Sequence, residues 1–280
     1  MSSENTVLVT GANGFIGCAL CEALGAAGRG VRRAVRRTGG GATSGTVAVG
    51  DIGPETDWSA ALEGASCVVH LAARTHVLNE TASDPLAEYR RINVAATEQL
   101  ARSAAARGVR RLVFLSSVKV NGERTASRPY TEADEPRPED AYGISKWEAE
   151  QVLARIAAGT GLQVVVLRPP LAYGPGVKGN FRRLLRMVAR GTPLPLASLD
   201  NRRSLVYAGN LVEAIVKSID APRAAGRTYL VSDGEDVSTP DLVRAIARAL
   251  GVDARLLRFP PILLRLGATL LGKGAEFKRL

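Results

Sequence analysis

Val7-Leu8-Val9-Thr10-Gly11-Ala12-Asn13-Gly14-Phe15-Ile16-Gly17 decides how the rest of the chain is read, because an apolar, β-branched run stops abruptly in three glycines and gives way to an amphipathic run. The stretch predicts strand, tight turn, helix. Gly11 lets the chain reverse, Gly14 has no Cβ to hold a diphosphate away from the backbone amides, and Gly17 allows the new helix to pack close against the strand. Phe15 and Ile16 open that helix, whose first N–H groups have no partner within it and face an anion. A glycine triplet also occurs in plain turns, so the weight falls on the segments downstream of it.

The 280 residues are 46% hydrophobic and 23% charged, which supplies a full core for one large or two interlocked domains and excludes a disordered chain. The net charge of +10 raises the question of nucleic acid, yet only six of the 37 basic residues are Lys and the arginines are scattered along the chain. That pattern predicts contacts to small anionic ligands and no nucleic-acid module. Cys18, Cys21 and Cys67 offer neither an even count nor a second ligand pair, so no metal site is expected. Cys18 and Cys21 fall within the first helix and are expected as buried small hydrophobes in a reducing cytoplasm. The polar N-terminus lacks a secretory core, and no apolar run approaches the ~20 residues of a spanning helix. The expectation is a cytoplasmic protein without stable membrane insertion.

A second strand is expected over residues 31–37, followed by the loop Gly39-Gly40-Gly41. In a dinucleotide fold an acidic residue near this strand end would hold the ribose hydroxyls of NAD. Here the residues are Val31-Arg32-Arg33-Ala34-Val35-Arg36-Arg37. Arg36 or Arg37 is suited to the 2′-phosphate of NADP, which predicts NADP as the preferred cofactor with NAD as the alternative. A short strand at 46–49 ends in Gly50-Asp51-Ile52, where Asp51 is placed to reach the adenine edge. A helical turn covers 58–63. The run Ser66-Cys67-Val68-Val69-His70-Leu71-Ala72-Ala73 reads as a strand buried on both faces, with Leu71, Ala72 and Ala73 leaving room for a cofactor. His70 lies inside that run and is expected as a core histidine; His76 is given no role.

A helix is expected over 86–107 and a buried strand over 109–115, ending at Ser116-Ser117. Residues 121–138 are polar and proline-broken, as suits a loop over a site. The next helix opens near Asp140 and carries Ala141-Tyr142-Gly143-Ile144-Ser145-Lys146, and a strand at 162–167 is stopped by Arg168-Pro169-Pro170. Beyond that the alternation fades. The domains expected are a dinucleotide-binding unit over 1–170 and a substrate lobe over 171–280, interleaved if residues 228–231 return to the sheet. The apolar tail around 262–271 is expected to be a packed helix, with a membrane-surface or partner helix as the alternative.

Tyr142 and Lys146 are four apart and share a helix face. A phenol with pKa ~10 is a poor base at neutral pH, and a nearby ammonium and an oxidised nicotinamide would both favour the phenolate. Lys146 is also suited to the nicotinamide ribose, and a hydroxyl from Ser117 would orient the reacting oxygen.

Together these segments resemble the extended short-chain dehydrogenase/reductases, the nucleotide-sugar epimerase/dehydratase group. The resemblance rests on Thr10-Gly11-Ala12-Asn13-Gly14-Phe15-Ile16-Gly17, His70-Leu71-Ala72-Ala73, Asn93-Val94, Leu115-Ser116-Ser117, Tyr142-Gly143-Ile144-Ser145-Lys146 and Arg168-Pro169-Pro170-Leu171-Ala172-Tyr173-Gly174-Pro175-Gly176. It implies an α/β, Rossmann-type doubly wound parallel sheet with a smaller substrate-binding lobe. It also implies Tyr142 as acid/base, Lys146 as its partner, Ser117 on the substrate hydroxyl, Asn93 as a supporting polar residue, and Pro169 at the cofactor. A plain helix-to-backbone hydrogen bond is the other reading of Asn93. In the second lobe, Asn180 and Arg203 match the family's diphosphate ligands, and an arginine fork suits a diphosphate. The helices over 86–107 and 140–157 correspond to the family's four-helix homodimer contact.

Two departures narrow the reaction. Val118-Lys119 stands where the 4,6-dehydratases carry an Asp-Glu pair, so dehydration is not expected. The chain also ends soon after Glu276-Phe277-Lys278, whereas relatives continue through residues that help close the sugar pocket. The expected activity is an NAD(P)-dependent reduction of the C4 ketone of a UDP-4-keto-6-deoxy-N-acetylhexosamine, serving surface polysaccharide. The alternative is a nucleotide-sugar 4-epimerase with tightly bound NAD. A reductase of apolar ketones would leave Asn180 and Arg203 without an anion, and a cofactor-sensing scaffold would have no use for Ser117, Tyr142 and Lys146.

Overall fold

The computed structural model describes residues 6–37, 44–75, 82–125 and 128–260; the loop Gly39-Gly40-Gly41, His76 and the tail at 262–271 lie outside them. Strand β1 (Thr6–Thr10) carries Val7, Leu8 and Val9 with no exposed surface, as a strand paired on both edges and covered on both faces requires. The glycine turn leads into α1 (Phe15–Ala26), which buries Ile16, Gly17, Leu20, Cys21 and Leu24. Cys18 is exposed rather than buried, because it falls on the side of α1 opposite Ile16.

Strand β2 (Gly30–Val35) stops short of Arg36 and Arg37, and β3 (Thr46–Ala48), the short α2 (Ser59–Leu62) and β4 (Ala65–His70) come next. The helix expected over 86–107 is interrupted. It is α3 (Pro85–Arg90), a π turn (Arg91–Ala95) and α4 (Ala96–Ala106) in direct succession. After it stand β5 (Arg111–Leu115), a 3₁₀ turn (Val118–Val120), α5 (Ala141–Gly159) and β6 (Gln163–Arg168). The remainder is β7 (Leu171–Tyr173), α6 (Gly179–Ala189), β8 (Arg203–Tyr207), α7 (Ala208–Asp220), β9 (Thr228–Leu230), β10 (Asp236–Val237) and α8 (Thr239–Leu250).

Two compact units form. The first comprises Met1–Pro170 with Ala208–Val231, and the second Leu171–Tyr207 with Ser232–Leu280. In the first, seven parallel strands run in the order β3-β2-β1-β4-β5-β6-β9, with Thr228 beside Val166 in the last pairing. The order reverses between β1 and β4, so a crevice opens at their C-terminal ends. One side of the sheet is sealed by Trp58, Leu62, Leu100 and Leu153 against Leu8, Val68, Leu112 and Phe114, each fully buried large side chain contributing ~1.5–3 kcal/mol. Arg111, buried in β5, donates to the carbonyls of Ser218, Ile219 and Ala221 at 2.9–3.0 Å and so caps the C-terminal end of α7 with a cation. The second unit holds the three-stranded sheet β10-β8-β7 together with α6 and α8. Among the described residues no helix is long and apolar enough to cross a membrane.

Candidate active site

The turn after β1 is shaped by its glycines. Gly11 has φ +66°, and a Cβ there would stand 2.9 Å from the amide nitrogen of Ala72, so the turn and the end of β4 touch. A Cβ on Gly17 would collide with the carbonyl of Gly11. The close approach that Gly17 permits is therefore to the turn and not, as the sequence suggested, to the strand. Gly14 caps α1 with no side-chain hydrogen bond, which leaves the first N–H groups of a 12-residue helix to an anion. That cradle fits the diphosphate of a dinucleotide. Phe15 and Ile16 form its first helical residues.

Thr10 organises the opposite wall. Its hydroxyl oxygen accepts from the amides of Leu71 (3.1 Å) and Ala72 (3.2 Å) and meets His70 Nδ1 at 2.7 Å. His70 Nε2 lies 3.0 Å from the Thr97 hydroxyl, which donates to the carbonyl of Asn93. With every ring nitrogen engaged, His70 is a core histidine; burial, reinforced by Lys146, depresses its pKa to about 3. The segment Leu71-Ala72-Ala73 is thereby fixed as backbone bordering the glycine turn.

At the far end of β2 the two residues read as separate cofactor contacts face one another. Arg36 Nε lies 2.6 Å from Asp51 Oδ1, and both side chains are more than 70% exposed. Ile52, beside Asp51, is half-buried.

The third cluster gathers on α5. Asp140 caps it by accepting from the amide of Gly143 at 2.7 Å and also takes Lys119 Nζ at 2.6 Å. Lys119, at the position where dehydratases carry acid, thus secures the start of the helix. Ser117 caps the preceding 3₁₀ turn, and its side chain hydrogen-bonds the hydroxyl of Tyr142. Lys146 is almost wholly buried; its Nζ donates to the carbonyl of Leu115 at 2.8 Å and sits 4.3 Å from the centroid of Phe114. Burial lowers its pKa to about 7, and Glu150, one turn further on, opposes that shift.

The expectation that Lys146 lowers the phenol's pKa is not met in this arrangement. Burial, then Asp140 and Tyr89, push Tyr142 upward, and the group that lowers it is Ser117. The physical reason is where Nζ points: it is spent on a carbonyl and an aromatic face. The amide of Val118 donates to the carbonyl of Pro169 at 3.0 Å, which sets Pro169 beside the Ser117 turn. Asn93 exceeds both of its expected readings: it accepts from the amide of Arg74 at 2.8 Å, and its Nδ2 donates to the Arg74 carbonyl and to Ser145. It stands in the π turn, a distortion of the kind that frequently marks functional sites.

Sequence reasoning missed the support beneath this group. Glu150 is held bidentately by Arg168 and by the Ser116 hydroxyl, and Arg168 also donates to Asn121 Oδ1 at 3.1 Å. The available signal was Glu150 itself, which extends the four-residue spacing of Tyr142 and Lys146. In the second unit, Asn180 is an exposed residue in the first turn of α6, and Arg203 opens β8 half-buried, with burial lowering its pKa.

The model of the NAD dependent epimerase/dehydratase family matches residues 7–232, through the glycine turn, the Tyr142 helix and the strand at Thr228. The chain belongs to that family. It is 43% identical over 98% of its length to the UDP-glucose 4-epimerase of Vibrio cholerae, covering 85% of that protein. An N-acetyl-alpha-D-glucosaminyl-diphospho-ditrans,octacis-undecaprenol 4-epimerase of Escherichia coli O157:H7 is 29% identical over 92% of this chain and 76% of the relative. Among solved structures, MoeE5 in complex with UDP-glucose and NAD superposes with a TM-score of 0.77 at 30% identity, over 91% of this chain and 85% of that one. This is an enzyme family, and its member here carries the Rossmann-type sheet throughout its first unit.

Proposed function

We propose that the protein is a nucleotide-sugar 4-epimerase that holds NAD tightly and acts on a UDP-hexose or UDP-N-acetylhexosamine. The observation that carries this reading is the near full-length likeness to a relative named as a UDP-glucose 4-epimerase. It displaces the 4-keto reductase expected from sequence. That expectation leaned on Arg36 as an NADP contact, and Asp51 occupies the same guanidinium with a carboxylate that would repel a 2′-phosphate. Epimerisation also returns its cofactor unchanged at each turnover, so it has no need of an NADPH supply.

The glycine turn and the start of α1 would hold NAD, which would supply hydride acceptance and return at C4. The chain does the rest. Ser117 holds the C4 oxygen, and Tyr142, working as the phenolate, takes the hydroxyl proton as the C4–H bond breaks and the ketone forms. After the sugar has turned, Tyr142 returns the proton to the oxygen as hydride adds to the opposite face. Burial keeps the Tyr142 phenol protonated at rest, so its own proton must first leave to solvent, and the Ser117 hydrogen bond together with the positive nicotinamide of bound NAD would favour the phenolate that results. Lys146, with a pKa of about 7, carries a partial charge near neutrality and is suited to the nicotinamide ribose. Asn180 and Arg203 grip the diphosphate, and the homodimer forms through the helices over 86–107 (α3 to α4) and 140–157 (α5).

The test uses purified protein with no added cofactor. Incubation with UDP-glucose and UDP-N-acetylglucosamine is expected to yield their C4 epimers with no net change in nicotinamide absorbance. Stoichiometric NADPH consumption with a UDP-4-keto-6-deoxy-N-acetylhexosamine, and no epimerisation, would restore the reductase.

A further inference from the structure

The helix that runs from α3 through the π turn into α4 presents Tyr89, Asn93 and Thr97 at four-residue spacing. Each meets the end of β4 or the segment just after it. Thr97 meets His70 and Asn93 bridges Arg74 to Ser145 of α5. Tyr89 completes the row: its hydroxyl donates to the carbonyl of Thr75 at 2.8 Å, and the guanidinium carbon of Arg74 lies 5.3 Å from its ring centroid. Its ring also meets the ring of Tyr142, edge to face, with centroids 6.3 Å apart at 62°. Tyr89 is 7% exposed although a phenol one turn from a helix end would be free to reach water.

Tyr142 is held at its hydroxyl by Ser117, but one hydrogen bond to a phenol leaves the ring free to tilt about it. An edge-to-face neighbour removes that freedom, since the positive ring edge has one favourable approach to the other face. Tyr89 is in turn anchored at its own far end by the Thr75 carbonyl. The ring of Tyr142 is therefore referenced to the backbone just beyond Leu71-Ala72-Ala73, the segment that borders the glycine turn. We propose that Tyr89 is a positioning residue for Tyr142, setting the ring of the proton-transferring phenol against the cofactor-side backbone. The proposal rests on the acid/base role of Tyr142 in the proposed epimerisation. A proton donor displaced by about 1 Å loses on the order of a hundredfold in rate, so a strut of this kind acts on the chemical step and little on binding.

The experiment compares Tyr89→Phe, which keeps the ring, with Tyr89→Leu, which removes it. The leucine variant is expected to lower kcat per bound NAD for C4 epimerisation by roughly tenfold or more. KM for the UDP-sugar and the NAD content should stay within about twofold, and the isotope effect from deuterium at C4 should rise; the phenylalanine variant, which loses the Thr75 anchor and keeps the ring contact, should fall between the leucine variant and the parent in kcat. A purely structural role predicts a different pattern, in which activity falls only as the NAD-loaded fraction falls and the isotope effect does not move. That pattern, or an unchanged kcat, would overturn the proposal. Should Tyr89→Leu fail to fold, Tyr89→Met fills more of the volume and is read in the same way. A second readout needs no turnover: the ¹³Cζ resonance of Tyr142, assigned with Tyr142→Phe, should move most in the leucine or methionine variant and less in the phenylalanine one. If the parent protein epimerises no nucleotide sugar, the proposed function fails, while a resonance that moves supports Tyr89 and one that holds still refutes it.

Discussion

Two places in the first unit were read from sequence as cofactor-facing polar groups, and they differ in what holds them. On α5, Lys146 is fixed by a carbonyl, an aromatic face and the field of Glu150, while Tyr142 is fixed by Ser117 and Tyr89. Beyond the end of β2, the side chains of Arg36 and Asp51 hold each other in water. A buried group cannot relax without leaving polar atoms unpaired, so its geometry persists and can serve chemistry. An exposed ion pair is screened and exchanges partners at little cost, so it can tune which cofactor is preferred and cannot carry a reaction step.

The comparison breaks most visibly at Tyr142. Tyr142→Phe removes the proton carrier and keeps the packing, so kcat should fall by roughly 10²–10⁴-fold while NAD remains bound; a near-normal kcat in steady-state assays would remove Tyr142 from the mechanism. Next in size is the support under the same helix. Glu150 and Arg168 have side chains only 5% and 4% exposed, so Glu150→Gln strands a buried guanidinium and should cost about 3–5 kcal/mol in urea denaturation. The paired change Glu150→Leu with Arg168→Met should restore much of that loss, and equal destabilisation by both proteins would show that the charge pairing is not what matters. The smallest effect belongs to the rim. Asp51→Asn frees Arg36 from a pair worth ~0.2–1 kcal/mol, so NADP affinity should improve relative to NAD by about fivefold at most. Fluorescence titration of both cofactors measures the ratio, and a shift toward NAD would reverse the assignment of the pair.

Much of the fold was legible because it depends on local rules. The apolar runs of β1, β4, β5 and β6 read as buried parallel strands, the glycines marked the turn into α1, and the opening of α5 was placed near Asp140. The spacing of Tyr142 and Lys146 was visible for the same reason: a helix places i and i+4 on one face whatever surrounds it. The exposure of Cys18 was the local exception, because a weak hydrophobe near a helix start does not reveal which side the core will take.

What residues far apart in the first unit do together was not written in any one window. The π turn at Asn93 gathers Arg74 and Ser145 from distant positions and, through its carbonyl, the Thr97–His70 chain. Arg168 and Glu150 are 18 residues apart and meet only because β6 lies beside the helix that precedes it. The direction of Lys146 Nζ, and with it the group that tunes Tyr142, was likewise decided by a carbonyl contributed by a neighbouring strand. Sequence by itself determined the strand-turn-helix start, the parallel α/β class and the shared helix face of Tyr142 and Lys146, since those rest on backbone sterics and on helical and hydrophobic period. Tertiary structure alone decided which of those side chains touch and how far their pKa values move, because hydrogen bonds and desolvation depend on neighbours that the chain brings in from elsewhere.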